Sequence, residues 1–241
     1  MSENAITRAI ADRGAAVGAM LFEFDTPGVM RILAAAGADF ALFDLEHTAW
    51  DPGSLRRVLA TGRGTGVHPL VRVVRAEYAL IAPALDAGAG GVMAPMVESA
   101  AQARTLVESV RYPPLGRRGF GVIMSDELAD GGPGARAERA NRDNVVIVQI
   151  ESPRGIENAE EILAVPGIDV AWLGQFDHPA YLDAVDHLVR TAHARGIPLG
   201  QLVGSVEDGR AMRDFGFQVL AFCDVWVFEQ ALRASLDGLR P

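Results

Sequence analysis

The sequence predicts an α/β fold, a (β/α)8 TIM barrel in which parallel strands alternate with helices. Short apolar runs alternate with helix-patterned segments along all 241 residues. Several runs, such as VVIVQI at 145–150, are apolar on both faces, as strands are when helices cover a parallel sheet. The length is also close to the roughly 250 residues that such a barrel needs. We therefore expect one domain over residues 1–241.

Eight apolar runs, separated by Gly, Pro, Asp or Ser, are the predicted strands. They are Ala16–Phe24, Phe40–Glu46, Pro69–Val74, Gly91–Val97, Val145–Glu151, Val170–Phe176, Pro198–Val203 and Gln218–Phe222. A helical pattern follows each strand. The predicted helices are Pro27–Ala36, Gly53–Thr61, Tyr78–Ala87, Ala100–Val110, Gly155–Ala164, Tyr181–Ala194, Val206–Phe215 and Phe228–Leu236. Because each strand leads into a helix, we expect the strands to run parallel and to close into a barrel.

The segment Arg111–Asn144 interrupts this alternation. It contains Pro113–Pro114, a series of glycines and the Gly- and Ala-rich stretch Asp130–Ala140. It is much longer than the usual strand-to-helix connection of about 2–6 residues. We interpret it as a functional or a mobile loop.

Composition limits the partners and the compartment. The formal net charge is −9 and no run of basic residues occurs, which argues against a nucleic-acid partner. Cys223 is the only cysteine, so neither an internal disulfide nor a cysteine-based zinc cluster can form. No apolar run approaches the roughly 20 residues of a membrane span. We expect a cytoplasmic protein that acts on a small molecule.

The second predicted strand, FALFDLEH at 40–47, ends in two acids and a histidine. Active sites of TIM barrels lie at the carboxyl ends of the strands, so these side chains are candidates for catalysis. His47 with Asp44 nearby could act as an oriented general base. Alternatively, Asp44 or Glu46 caps the next helix and His47 is an ordinary loop residue.

Arg72 lies among aliphatic residues near the end of the third predicted strand. A guanidinium in such surroundings is costly unless it is paired or contacts a substrate anion. An ion pair with Asp44 or Glu46 and a substrate-binding role are equally compatible with the sequence.

Glu151 and Asp177 end two neighbouring predicted strands, and Gln149 lies beside the first of them. Carboxylates at the same end of adjacent parallel strands can share one divalent cation. An oxygen-rich site without cysteine suits Mg²⁺ or Mn²⁺, whereas Zn²⁺ usually recruits His or Cys. The alternative is that both acids merely cap helices.

Several motifs in order resemble the HpcH/HpaI aldolases, which are metal-dependent class II pyruvate aldolases. The motifs are FDLEH (43–47), PLVRV (69–73), DAGAGGVMAPMVESAAQA (86–103), RYPPLGRRGFG (111–121), VQIESPRGIENAEEIL (148–163) and GQFD (174–177). The resemblance implies that Glu151 and Asp177 are metal ligands and that His47 with Asp44 forms the acid/base pair. Arg72 then holds the keto or enolate oxygen, and Gln149 lines the metal site.

The implied reaction is reversible cleavage of a 4-hydroxy-2-oxo acid to pyruvate, or an analogue such as hydroxypyruvate, and an aldehyde. The metal, Mg²⁺ or Mn²⁺ with Co²⁺ or Zn²⁺ as alternatives, would stabilise the enolate. All 22 basic residues are arginine, so no lysine can form a Schiff base, which independently supports a metal mechanism. The resemblance also implies a homo-oligomer, commonly a hexamer, in which paired subunits exchange C-terminal helices.

One departure from the family pattern lies after Asp177, which runs directly into His178–Pro179 and the next helix. About a dozen loop residues that relatives usually carry there are missing, which puts the role of Asp177 in question. Two other functions therefore stay open. The chain could be a related metal-enolate lyase or decarboxylase acting on oxaloacetate or an acyl-thioester, or a keto-acid-binding barrel with little turnover.

Overall fold

A closed barrel of parallel strands forms the centre of the protein in a computed structural model that describes residues 4–121, 132–174 and 181–240. The strands are β1 Ala16–Leu21, β2 Phe40–Asp44, β3 His68–Arg72, β4 Gly91–Ala94, β5 Val145–Ile150, β6 Val170–Leu173, β7 Leu199–Val203 and β8 Phe217–Cys223. They neighbour one another in sequence order, and β8 pairs with β1 to close the barrel. The predicted (β/α)8 fold is confirmed.

Helices surround the barrel. They are α1 Ala5–Arg13, α2 Val29–Ala36, α3 Pro52–Thr61, α4 Tyr78–Asp86, α5 Ala100–Val110, α6 Gly132–Asp143, α7 Pro153–Glu157, α8 Ala159–Leu163, α9 Tyr181–Ala194, α10 Val206–Asp214 and α11 Asp224–Asp237. Among the described residues, no helix is both long and apolar enough to span a bilayer.

The apolar core has two layers, and this explains why the strands are continuously apolar. Leu42 and Leu70 belong to the cluster inside the barrel, whereas Phe43 and Val71 belong to the cluster between the strands and the helices. All four side chains are fully buried. Alternate residues of one strand thus enter different layers, so neither face of the strand can be polar.

Helix α1 was not predicted, because it contributes only a short apolar face. Asn4 caps the helix: its side-chain Oδ1 accepts a hydrogen bond from the Thr7 backbone amide at 3.0 Å. The Nδ2 of the same side chain donates to Asp169 Oδ1 at 3.0 Å. Ile6 is fully buried in the cluster inside the barrel. The helix therefore covers the end of the barrel at which the strands begin.

The interpretation of Arg111–Asn144 as one loop is wrong for its last third, where α6 forms a helix over Gly132–Asp143. The Ala, Arg and Glu residues after Gly134 are good helix formers, and the preceding glycines obscured that signal. Residues 122–131 lie outside the described residues, so the expected function or mobility of that part stays a prediction.

Several elements differ from the prediction at their ends. β2 stops at Asp44 and β5 at Ile150, which places Glu46 and Glu151 in the loops that follow these strands. The predicted helix 155–164 divides into α7 and α8 at Asn158. The last helix begins at Asp224, four residues earlier than expected.

Candidate active site

The carboxyl ends of β2 and β3 bring two predicted site residues into contact. Asp44 and Arg72 are register partners on these strands, and Arg72 Nε donates to Asp44 Oδ1 at 2.7 Å. Asp44 is fully buried and Arg72 is 6% exposed. The attraction between these two opposite charges thus offsets the free-energy cost of removing both groups from water.

Arg72 also contacts two other polar side chains. Its Nη1 lies 3.3 Å from Glu46 Oε2 and donates to Gln149 Oε1 at 3.4 Å. The ring of Phe22 lies beside the guanidinium, 5.7 Å from Cζ to the ring centroid. One of the two roles considered for Arg72, an ion pair with a neighbouring acid, is therefore present. This ion pair holds the guanidinium at the rim of the barrel, where substrate would bind.

Asp44 organises the turn after β2 rather than the imidazole of His47. Its carboxylate accepts hydrogen bonds from the backbone amides of Glu46 and His47, both at 2.9 Å. The His47 side chain is 65% exposed, and its Nε2 lies 3.6 Å from Glu46 Oε2. The expected pairing of Asp44 with the His47 ring is therefore replaced by a pairing of His47 with Glu46.

The helix-capping alternative is wrong for Asp44, Glu46 and Glu151, whereas for Asp177 it lies outside the described residues. Asp51 is the N-cap of α3 and accepts from the amides of Gly53 and Ser54. Ser152, rather than Glu151, caps α7 through the Gly155 amide at 3.1 Å. Asp44 and Glu151 therefore do not cap the helices that follow them.

Glu151 lies beside Gln149 just beyond β5. Its Oε1 accepts from the Met96 amide at 2.9 Å, and its Oε2 accepts from Gln149 Nε2. The side-chain carbonyl of Gln149 accepts from Arg72, so the Gln149 side chain links the Arg72 guanidinium to the Glu151 carboxylate. A polar chain thus runs from Asp44 through Arg72 and Gln149 to Glu151.

Gly174, immediately after β6, makes room for Glu151. A Cβ at this position would collide with the Glu151 side chain, so only glycine permits the carboxylate to lie there. The sequence analysis noted this glycine only as part of a motif. In the sequence, its role was indicated by its position as a glycine near the end of one predicted strand, with Glu151 at the end of the neighbouring strand.

Glu46 is a site residue that the sequence analysis considered but did not select. Burial raises the pKa of its carboxyl, while the nearby Arg72 and His47 lower it and Glu151 raises it further. Its buried Oε2 has no hydrogen-bond partner among the described residues. The available signal was the second acid of the DLEH sequence.

The chemical character of the donors suits a divalent cation. Asp44 and Glu46 both contact the guanidinium of Arg72, and Glu151 lies near enough to raise the pKa of Glu46, so negative charge is in excess at this rim. The side-chain donors are oxygens, as hard cations prefer. Within the described residues no cluster of three or more His, Cys, Asp or Glu has metal-binding geometry. Asp177, the second predicted ligand, lies outside the described residues.

Asp224, another acid at the rim, has a structural role. Its carboxylate accepts from the backbone amides of Phe22, Glu23 and Phe24 at 3.0–3.1 Å. These bonds fix the loop after β1, including the Phe22 ring that lies against Arg72.

Comparisons with known proteins agree on one family. The family model described as HpcH/HpaI aldolase/citrate lyase matches residues 19–223. The chain is 37% identical to a hydroxypyruvate/pyruvate aldolase of Roseovarius nubinhibens, with 90% of both chains covered. It is 34% identical to a protein of the same name from Delftia acidovorans, covering 90% of this chain and 86% of the relative. The crystal structure of an HpcH/HpaI aldolase from Desulfitobacterium hafniense superposes with a TM-score of 0.89 at 26% identity, covering 98% and 97% of the two chains.

Proposed function

The chain belongs to the HpcH/HpaI aldolase/citrate lyase family and is a carbon–carbon lyase, and from this we propose that it is a divalent-metal-dependent pyruvate aldolase. The reaction is the reversible cleavage of a 4-hydroxy-2-oxo acid to pyruvate, or a close analogue such as hydroxypyruvate, and an aldehyde. The observation that carries the proposal is the polar chain Asp44–Arg72–Gln149–Glu151 at the rim. In this chain, the guanidinium of Arg72 is a fixed positive charge surrounded by more carboxylate groups than it can neutralise.

Glu151 and Asp177 are the proposed ligands of a divalent cation, Mg²⁺ or Mn²⁺. The all-oxygen donor set supports this assignment, as does the buried Glu46 Oε2, which accepts no hydrogen bond among the described residues. Gln149 holds one Glu151 oxygen and the Met96 amide the other, so the carboxylate is oriented before any ligand arrives. When bound, the cation supplies Lewis-acid polarisation of the 2-keto group.

Arg72 is proposed to bind the keto oxygen of the substrate and to stabilise the negative charge that develops there. Asp44 and Gln149 fix two faces of the guanidinium, so little reorganisation is needed when charge appears. Because the group is almost fully buried, its field is weakly screened by water.

His47 is proposed to transfer the proton. In cleavage it accepts the proton of the C4 hydroxyl, through a water, and in synthesis it helps to remove a proton from the pyruvate methyl group. Its exposed ring can reach the substrate from the solvent side of the rim. Glu46, 3.6 Å from Nε2, is placed to orient the ring, and Asp44 supports it through the backbone of the turn.

Exchange of the pyruvate methyl protons in D₂O, followed by NMR, tests this function without knowledge of the aldehyde. We expect exchange with Mg²⁺ or Mn²⁺ present, loss of exchange after chelation, and recovery when the metal is restored. Exchange that persists at full rate in the chelator would overturn the proposal. Product analysis with hydroxy-oxo acids, oxaloacetate and an acyl-thioester then separates aldol cleavage from decarboxylase and thioester lyase activity.

We also propose that the single domain 1–241 assembles into a homo-oligomer, a hexamer with exchanged C-terminal helices. An apolar groove of about 700 Å³ lies between α2 and α11, and Ile32, Leu33 and Phe222 are among its lining residues. α11 itself exposes Trp226, Phe228 and other large apolar side chains. Such a continuous exposed apolar surface is typical of an interface. The α11 helix of a second copy is the proposed occupant of the groove.

A further inference from the structure

The loop that follows β4 contains a backbone conformation that residues with a side chain disfavour. Met96 has a φ of 52°, and among the described residues it is the one non-glycine residue with a positive φ. Met96 is 48% exposed, so burial of its side chain does not compensate for this conformation. Left-handed backbone at such a residue costs free energy and persists only where the surroundings fix it. Contacts of the loop with its neighbours must therefore hold Met96 in place.

This conformation directs the Met96 amide to a candidate metal ligand. The amide donates to Glu151 Oε1 at 2.9 Å, while Gln149 Nε2 donates to Glu151 Oε2. Each carboxylate oxygen has two lone pairs, so each keeps one for a cation. Because each oxygen has its own donor, the carboxylate has a fixed orientation. A rotation of the Met96 peptide would remove one of the two donors.

Further hydrogen bonds hold the loop after β4 against the segment that follows β5. The Val97 amide donates to the Gln149 backbone carbonyl at 3.1 Å. The Ser152 hydroxyl donates to Glu98 Oε1 at 2.6 Å, and Asn158 Nδ2 donates to the Glu98 backbone carbonyl at 2.8 Å. Two of these bonds end on Glu98, which is therefore an anchor of the loop.

Ser152 fixes the position of the Glu98 carboxylate. Its Oγ accepts from the Gly155 amide at 3.1 Å as the N-cap of α7, so its single hydroxyl proton is donated to Glu98. A Cβ at Gly155 would lie 2.9 Å from the Val97 carbonyl oxygen, so the first turn of α7 packs closely against the loop. Ser152 therefore requires an acceptor oxygen from the side chain of residue 98, which a carboxylate or an amide can supply.

We propose that Glu98 is a positioning residue of the metal site and acts through the left-handed backbone of Met96. The Glu98 carboxylate accepts from Ser152 and thereby fixes the loop in the conformation that directs the Met96 amide to Glu151. This role rests on the proposed function, in which Glu151 is a ligand of the divalent cation. Groups that orient a metal ligand typically change metal affinity by about 10–100-fold.

Titration of the intact protein with Mn²⁺, with free Mn²⁺ measured by electron paramagnetic resonance, tests this role without substrate or turnover. Glu98→Ala removes the acceptor of the Ser152 hydroxyl, whereas Glu98→Gln removes the same charge and keeps an acceptor oxygen. Glu108→Ala is the matched control, because Glu108 is an exposed carboxylate on α5. Glu151→Gln tests whether Glu151 is a ligand.

A second pair of variants, Met96→Gly and Met96→Val, separates the backbone conformation from the side chain. Both variants remove the thioether and keep the backbone amide. Glycine adopts a positive φ readily, whereas a β-branched residue strongly disfavours it. Glycine therefore permits the conformation that directs the amide to Glu151, and valine opposes it. Circular dichroism checks that every variant is folded at the temperature of the titration.

We expect Glu98→Ala and Met96→Val to bind Mn²⁺ at least about tenfold more weakly than the unaltered protein. Glu98→Gln, Met96→Gly and Glu108→Ala should bind Mn²⁺ within about threefold of it. Glu151→Gln should lose most of its affinity. A merely structural role would change stability in these variants without this pattern of metal affinities.

Full Mn²⁺ affinity in Glu98→Ala would overturn the role of Glu98. Equal weakening in Glu98→Gln would also overturn it, since the effect would then come from charge. Equal affinities of the two Met96 variants would overturn the role of the backbone conformation. An unaltered protein that binds no Mn²⁺, or a Glu151→Gln protein with full affinity, would instead overturn the metal site itself and with it the proposed function.

Discussion

At the scale of single residues, Arg72 shows how a buried charge can be both structural and functional. Asp44 satisfies Nε, Gln149 accepts from Nη1, and Glu46 contributes a second carboxylate. Removal of the cation would leave the buried Asp44 carboxylate without its partner, which costs several kcal/mol in comparable pairs. The conservative substitution is therefore more informative than truncation.

Arg72→Lys is expected to reduce kcat/KM at least about 100-fold, a loss of about 3 kcal/mol of transition-state stabilisation. Lysine retains the charge but lacks the planar fork that contacts Asp44 and Gln149 together. Steady-state kinetics of aldol cleavage measures the effect, with circular dichroism as the check on folding.

The matched control is Arg75→Lys. Arg75 is exposed just beyond β3, and its Nε lies 2.5 Å from Glu77. We expect kcat/KM within about twofold of the unaltered protein, because exposed ion pairs contribute little. Equal activity of the two variants would show that the geometry of Arg72 is unimportant.

At the scale of elements, helix α1 is fixed to the barrel through a buried cap. Asn4 accepts from the Thr7 amide and donates to Asp169 Oδ1, while Asp169 Oδ2 accepts from Arg111 and from the Val146 amide. The carboxylate thus connects the first helix to the starts of β5 and β6. Sequence periodicity could not reveal α1, because its anchor is a polar contact across 165 residues.

Asn4→Ala is expected to lower the free energy of unfolding by about 2 kcal/mol, from the lost cap and the lost buried hydrogen bond to Asp169. Ser205→Ala is the control, because Ser205 caps α10 through an exposed bond to the Asp208 amide. A cap of that kind contributes typically about 1 kcal/mol. Urea denaturation compares the two, and equal losses would contradict the role assigned to the Asp169 contact.

At the scale of the whole molecule, α11 is the element that the isolated chain leaves without a covering layer. Its apolar side chains, including Trp226, Phe228 and Leu232, are 40–55% exposed. The neighbouring groove over β1 is also apolar. Because both surfaces are apolar, the α11 helix of one copy can pack in the groove of another, which supports the proposed exchange of helices between copies.

Leu232→Asp is expected to shift the protein toward smaller species in size-exclusion chromatography with light scattering, because a buried unpaired carboxylate opposes association. Val206→Asp is the control, since Val206 is a similarly exposed apolar residue on α10, away from the groove. A Leu232→Asp protein with an unchanged mass would exclude α11 from the interface. A monomeric unaltered protein would overturn the assembly proposal as a whole.

The sequence by itself determined the barrel, the order of its elements and the rim position of Asp44, Arg72 and Glu151. These features follow from local patterns, namely apolar runs, helical periodicity and the polar residues that end each strand. The family resemblance, carried by contiguous motifs, is equally a property of the sequence and is confirmed.

Only the tertiary structure decided which side chains meet. The register of β2 with β3 pairs Asp44 with Arg72, and the turn after β2 directs His47 toward Glu46 instead of Asp44. Strand register and packing set the distances between these side chains, and no local pattern encodes them, so the chemistry of the rim emerges only on folding.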